Sequence, residues 1–247
     1  MYSAPSSHGP EIPADIETSS VGYAARFAGP AGRWMLEVQA RHVRELLQPD
    51  PPGTVLEVGG GHGQLAGTLI QGGYQVTIQG SEASCRRGVE AWVTTGKCRF
   101  VQGSYLELPF PDQSFDFVVS VRLIMHSEAW PQIIAELCRV ARRAVIVDYP
   151  RAGGLNRLAP WLFQAKKQLE KNTRTWRNFT HAEVAQAFAC HGFRSTARIG
   201  QFFFPMVLHR TVQARAISAF LEGLSQSIGL NRLMGTPVLA RFDRGPA

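Results

Sequence analysis

The residues whose types and spacing could do chemistry lie in Val55-Leu56-Glu57-Val58-Gly59-Gly60-Gly61-His62-Gly63-Gln64-Leu65. An apolar strand carrying the acid Glu57 runs into a turn with glycine at 59, 61 and 63. Glycine has no Cβ, so the backbone can turn sharply and a ligand can approach closely. A helix beyond such a turn offers unpaired N–H groups and the positive end of its dipole. Strand, glycine turn and helix together outline a nucleotide-type cofactor site. The spacing excludes two versions of it. A P-loop needs Lys-Ser or Lys-Thr after the glycines, and none follows. The dinucleotide fingerprint needs glycine at 64 or 66, where Gln64 and Ala66 stand. Glu57 reads as bonding N–H groups of its own turn and, by organising it, serving the ligand. His62 reads as pointing out of the turn.

From about residue 54 strand-like and helix-like segments alternate, the pattern of a parallel sheet flanked by helices. Strands are expected at 55–58, 75–79, 99–102, 115–121 and 144–149, with 196–204 and 238–242 as a final antiparallel pair. Helices are expected at 64–71, 82–93, 128–140 and 181–191, the last capped by Thr180 and stopped by Gly192. Ala31–Leu47 reads as an N-terminal lid helix. Two cap insertions, 151–180 and 206–235, carry the helices Leu155–Asn172 and Thr211–Ile228. The fold class is thus α/β: seven strands, mostly parallel, helices on both faces. Residues 21–247 form one domain behind a mobile tail, 1–20. Ligands of open α/β sheets bind beyond the carboxyl ends of the strands, so segments leaving those ends wall the pocket.

The composition, 45% hydrophobic and 18% charged, is that of an ordinary globular protein. No apolar run is long enough to span a bilayer. The first twenty residues lack the apolar stretch of a secretory signal. Cys85, Cys98, Cys138 and Cys190 are scattered, which argues against structural zinc and a disulfide framework and fits a reducing cytoplasm. The net charge of +7 favours anionic partners. From Arg151 to Thr180 seven basic residues face one acid, Glu170, either as a solvated helix face or as part of a binding cap.

The acidic-x-Gly-x-Gly-x-Gly run resembles motif I of the class I S-adenosylmethionine-dependent methyltransferases. Two further segments agree in order. Phe100-Val101-Gln102-Gly103-Ser104-Tyr105-Leu106-Glu107-Leu108-Pro109-Phe110-Pro111-Asp112-Gln113-Ser114-Phe115-Asp116 resembles a stretch of the methyltransferase type 11 group, which includes the ubiquinone and menaquinone-biosynthesis enzymes. Leu123-Ile124-Met125-His126 followed by Glu136-Leu137-Cys138-Arg139-Val140 resembles that group's next segment. The resemblance covers roughly residues 55–150. It implies a Rossmann-like fold, S-adenosylmethionine as cofactor and S-adenosylhomocysteine as product, with no metal. Implied contacts are Glu57, Gly59, Gly61, Gly63, Gly80, Ser81, Gly103, Ser104, Tyr105 and Val121. The chain departs from the group at two of them. The acid that usually holds the ribose hydroxyls is either missing, with Gly80 in its place and Ser81 or Gln79 to bond a hydroxyl, or shifted to Glu82; Ser104 stands where an Asp usually meets adenine. A tyrosine-bearing segment closes over the cofactor in this group, so Tyr23 is expected as a lid and Arg26 as a partner for the cofactor's carboxylate or for an anionic acceptor.

Methyl transfer from a sulfonium is an in-line displacement, so positioning and desolvation do much of the work. A general base matters only when the acceptor must lose a proton. His126, Tyr149 and His209 are the candidates. No Asn/Asp-Pro-Pro-Tyr/Phe, Pro-Cys or paired-Asp metal pattern follows the fourth strand, and no base-stacking module is visible. These absences favour a small-molecule acceptor over nucleic acid. The basic cap favours an acceptor that is anionic or lipid-like, and leaves peripheral membrane contact open. The alternatives are a cofactor-binding protein without methyl transfer and, resting only on charge, an RNA methyltransferase.

Overall fold

The computed structural model describes residues 13–48, 50–153 and 177–245. Seven strands form one sheet: β1 (Thr54–Val58), β2 (Gln75–Gly80), β3 (Cys98–Gln102), β4 (Phe115–Ser120), β5 (Ala141–Tyr149), β6 (Phe193–Phe202) and β7 (Thr236–Arg244). Their spatial order is β3-β2-β1-β4-β5-β7-β6. β1 to β5 run parallel, and β7 is antiparallel to both β5 and β6.

The central strands bury both faces, as a parallel sheet covered on two sides requires. Leu56, Val58 and Val118 pack on the face of α6 (Trp130–Val140) and α7 (His181–Ala189). Val55, Phe117 and Val119 pack on the other, with α3 (Gly29–Leu47) and α4 (Ala66–Gln71). The α7 start carries a capping box. Thr180 Oγ1 accepts from Glu183 N at 3.2 Å and Glu183 Oε2 accepts from Thr180 N at 2.8 Å. Such reciprocal satisfaction of helix-end donors contributes about 1 kcal/mol.

Three local expectations differ from the structure. Residues 14–18, expected in a mobile tail, form a helical turn, α1 (Ala14–Thr18), with Ala14, Asp15 and Thr18 buried. The Asp15 carboxylate anchors it to the end of β2. The helix expected at 82–93 is a 3-10 run, Ala83–Val89, followed by the short α5 (Glu90–Thr94). Gly88 explains the break: a Cβ there would lie 2.3 Å from the Gly61 carbonyl oxygen, so tertiary packing sets this backbone. The helix expected at 211–228 is interrupted: that stretch holds the end of α8 (Met206–Val212) and then α9 (Arg215–Ser227), and α10 (Leu230–Met234) follows it. Gln213, at φ +52, ends the first and Gly229, at φ +79, begins the last. The expected basic helix at 155–172 lies outside the described residues.

Candidate cofactor site

β1 delivers the glycine turn to the carboxyl edge of the sheet. Gly59 adopts φ +72 and its N–H donates to Gln79 O at 3.1 Å and Gln79 Oε1 at 3.2 Å. Gln79 Nε2 donates to Gly103 O at 2.5 Å. One buried amide therefore ties together the ends of β1, β2 and β3. A 3-10 turn, Gly60–His62, follows, and Gly63 at φ +69 precedes α4.

Other backbone closes tightly on this turn. A Cβ on Gly61 would lie 2.3 Å from the Cys85 carbonyl oxygen and 2.7 Å from Ser19 Oγ. A Cβ on Gly63 would lie 2.2 Å from Gly88 O. At Gly80 it would meet Cys85 Cβ at 2.6 Å and the Phe100 ring at 3.0 Å, so no acid fits at the end of β2. Asp15 instead brings a carboxylate there from α1. Its Oδ2 accepts from Ser81 N at 2.6 Å, and its Oδ1 is buried without a partner. Tyr105 OH accepts from Ala14 N at 3.3 Å and fixes the same helix.

Glu57 does not bond the N–H groups of its turn as expected. Its side chain is folded beneath Gly60, and both carboxyl oxygens are buried without partners. Burial pushes its pKa up to about 8, with the Arg122 charge pulling the other way. His62 Nδ1 accepts from Gln64 N at 3.2 Å, and burial followed by Arg122 brings the imidazole down to about 3.

Arg122, which the sequence reading passed over, follows β4 with φ +60. A left-handed backbone is unusual outside glycine. Its N–H donates to Asp148 Oδ1 at 2.6 Å, which holds that conformation. Its guanidinium bonds Gln39 Oε1 at 2.7 Å and also Gln64, and lies 4.3 Å from the Phe27 ring centroid. Burial raises Asp148 to about 6, opposed by its bonds and charge contact with Arg122. A buried cation thus stands among the ends of β1, β4 and β5. No local pattern marks it, since it belongs to no sequence motif named above.

The remaining candidates separate into groups. Val121 is buried beside Arg122. Ser104 Oγ accepts from Leu106 N at 3.1 Å, within its own turn. Tyr23 lies in α2 (Val21–Ala25), where its ring packs at 5.8 Å from Phe27. Arg26 stacks at 5.0 Å on Tyr23 and pairs with Glu17 at 3.6 Å. His126 is half-buried in the 3-10 turn Ile124–His126 after β4. Tyr149 is fully buried, and burial raises its phenol to about 12. Its OH lies 2.7 Å from His181 Nδ1. His209 lies elsewhere, in the polar heart of the cap. Its Nε2 is 2.9 Å from Glu222 Oε1, and its ring sits against Trp34 and Phe202. Glu222 also accepts from the N–H groups of Phe203 and Phe204 and from Asn231. A cavity of about 170 Å³ opens beside that network, lined by Trp34, His42, Gln201 and Phe202 among others, and touches no residue of the glycine turn.

The two later motif segments prove to be each other's partners. Arg139 donates to the carbonyls of Phe110 and Leu108 at 2.7 and 2.9 Å and pairs with Glu136 and Asp112. Glu136 Oε2 accepts from Leu108 N at 2.7 Å. Pro109 packs on Gly103. The clamp presents Gly103 to Gln79, so its role is to shape the site's edge.

Among the described residues, no cluster of His, Cys, Asp and Glu could hold a metal ion, and no helix is long and apolar enough to cross a membrane.

A methyltransferase domain family matches residues 56–147. An O-methyltransferase of Pyrenophora dematioidea is 32% identical over 116 residues, 44% of this chain and 41% of that protein. A sterol 24-C-methyltransferase of Gibberella zeae is 30% identical over 93 residues, 36% of this chain and 24% of that protein. The chain thus spans less than half the length of the curated relatives it matches. Magnesium protoporphyrin IX methyltransferase of Synechocystis PCC 6803, solved with bound S-adenosylhomocysteine, superposes with a TM-score of 0.61 at 15% identity, covering 92% of this chain and 96% of that one. With the strand order β3-β2-β1-β4-β5-β7-β6 and the glycine turn at its centre, residues 56–147 are similar to a methyltransferase domain family, and the chain has the fold of the class I S-adenosylmethionine-dependent methyltransferases.

Proposed function

We propose that this chain is an S-adenosylmethionine-dependent methyltransferase acting on an oxygen, nitrogen or carbon nucleophile of a small molecule. One observation carries the reading: unpartnered buried polar atoms gather at the glycine turn. They are Asp15 Oδ1, both Glu57 oxygens and His62 Nε2. Each such group costs about 1–3 kcal/mol when left unpaired, so native proteins keep few of them without a reason. A polar ligand with hydroxyls and positive charge suits this set. S-adenosylmethionine has both, and when bound it supplies an activated methyl on sulfur.

The chain's own residues would then bind and orient. The turn from Gly59 to Gly63 and Glu57 take the amino-acid end, with Arg122 close by. Ser81 and Asp15 take the ribose, Asp15 replacing the acid that Gly80 cannot carry. Gly103, Ser104, Tyr105 and Val121 border the base. Tyr23 and Arg26 cover the entrance. His126 accepts the acceptor's proton where the reaction releases one. Tyr149, protonated and bonded to His181, serves better to position an acceptor than to take its proton. Four cysteines without disulfides agree with a reducing cytoplasm.

Titration calorimetry with S-adenosylhomocysteine tests the reading: micromolar binding is expected, and absence of binding to both product and cofactor would sink it. Asp15→Asn is expected to weaken that binding about tenfold, the scale of one charge-assisted hydrogen bond. Tighter binding by Asp15→Asn would instead show that α1 competes with the cofactor. A second reading, cofactor binding without methyl transfer, is favoured by the altered positions Gly80 and Ser104. Binding without turnover of any acceptor would support it.

A further inference from the structure

Away from the glycine turn, three arginines converge on one small pocket. Its described lining is Tyr149, Arg151, His181, Arg198, Gly200, Arg232 and Val238, and contains no acid. The elements that bring them together are specific. Tyr149, Val238 and Gly200 form one row across β5, β7 and β6. Tyr149 ends β5, and Arg151 follows within the segment leaving that edge, its N–H bonded to Thr236 Oγ1 at 3.2 Å. Arg198 lies two residues before Gly200 on β6, so its side chain shares the Gly200 face. Gly200 is the device that admits the third arginine. A Cβ there would lie 2.2 Å from the Asn231 carbonyl oxygen, so only glycine lets α10 dock this closely. Docking of α10 sets Arg232 beside Arg198.

Bringing like charges together costs free energy unless something neutralises them. Nothing in the described lining does. The floor reinforces the point, since it too carries no negative charge. Burial, then the charges of Arg198 and Arg151, hold His181 below its usual range, so its imidazole is neutral at pH 7. The buried Tyr149 phenol keeps its proton. The pocket therefore presents three guanidinium forks around neutral hydrogen-bonding groups, the arrangement that suits an oxyanion. Its volume, about 20 Å³, accommodates one small polar group.

We infer that Arg151, Arg198 and Arg232 form an oxyanion subsite that seats a carboxylate or phosphate of the methyl acceptor at the carboxyl end of β5. Naming the ligand as the acceptor rests on the methyltransferase reading above; the subsite itself does not. Tyr149 and His181 give the anion's remaining oxygen its neutral partner. An acceptor lacking a negative charge leaves the arginines unneutralised and binds more weakly.

Inorganic phosphate is the probe, followed by NMR of the arginine Nε–Hε groups and of the His181 ring in the intact protein. Saturable shifts at all three arginines are expected in the low-millimolar range, together with a rise in the His181 pKa as the anion offsets Arg198 and Arg151. The double variant Arg198→Gln, Arg232→Gln changes two exposed side chains and should keep the fold. It is expected to weaken phosphate binding about tenfold or more. Undiminished binding by the double variant, or no saturation below about 50 mM, overturns the subsite. Binding to phosphatidylglycerol vesicles that depends on the same arginines while free phosphate leaves them unmoved would assign the surface to lipid headgroups and overturn the small-acceptor assignment. Calorimetry with S-adenosylhomocysteine on the same samples reads the cofactor site separately. Phosphate bound without S-adenosylhomocysteine fails the methyltransferase reading alone, and the reverse fails the subsite alone.

Discussion

Gly63→Ala is expected to cost about 3 kcal/mol or more of stability and to abolish measurable S-adenosylhomocysteine binding. Two separate penalties meet at this residue. The backbone sits at φ +69, where an alanine is strained by about 1–2 kcal/mol. The added Cβ would also stand 2.2 Å from Gly88 O and 2.8 Å from Gly88 C. Those are backbone atoms and cannot rotate away, so either the 83–89 run or the glycine turn must move. Overpacking of that kind costs about 1–3 kcal/mol more. Gly96→Ala isolates the first penalty. Gly96 has φ +70 with nothing within 4 Å of its added Cβ, so only strain applies, about 1 kcal/mol. Urea unfolding of the two variants measures the difference. Equal losses in both would show that the close approach to Gly88 carries no weight.

That packing also explains what could and could not be read from the chain. The strands were legible because each buried strand of a covered parallel sheet is an apolar run, as in Val118–Val119 and Val145–Val147. The glycine turn was legible because its spacing is local. The segments 100–116 and 123–140 were recognisable for a reason different from chemistry: Arg139, Glu136, Leu108 and Phe110 hold one another, so the pattern records a structural clamp. Asp15 was invisible, since its partner Ser81 is 66 residues away and its neighbours are those of a polar tail. Arg122 was equally hidden. Its meaning depends on Gln39, Gln64 and Asp148, which reach it from three other elements. The helix expected at 82–93 failed because local propensity was overridden by Gly88 meeting Gly61. His209 looked available next to an aromatic run, yet Glu222 and Trp34 enclose it.

Glu57→Gln is expected to flatten the dependence of stability on pH and to raise stability at pH 8, while weakening cofactor binding. The unfolded chain releases the Glu57 proton near 4.5, whereas burial holds the native carboxyl to about 8. Between those values the native state binds a proton that the unfolded state has lost. Stability therefore falls as pH rises through this window and levels off above it. At about 1.4 kcal/mol per unit the gap amounts to several kcal/mol. Glutamine keeps the shape without ionising, so the Glu57 share of the slope disappears and the variant gains most where that carboxyl has cost the wild type most. Urea unfolding at pH 5, 6.5 and 8 measures this, and parallel curves for the two proteins would contradict it. Cofactor binding reverses the sign. S-adenosylmethionine brings a sulfonium and an ammonium group, and either beside Glu57 favours the carboxylate. Wild-type affinity then climbs toward pH 8 with release of a proton, seen by calorimetry in buffers of different ionisation heat. The variant binds with neither the climb nor the proton. Comparing S-adenosylmethionine with S-adenosylhomocysteine, which lacks the sulfonium charge, identifies the cation. A proton release equal for both ligands assigns it to the ammonium, and a release seen only with S-adenosylmethionine assigns it to the sulfonium.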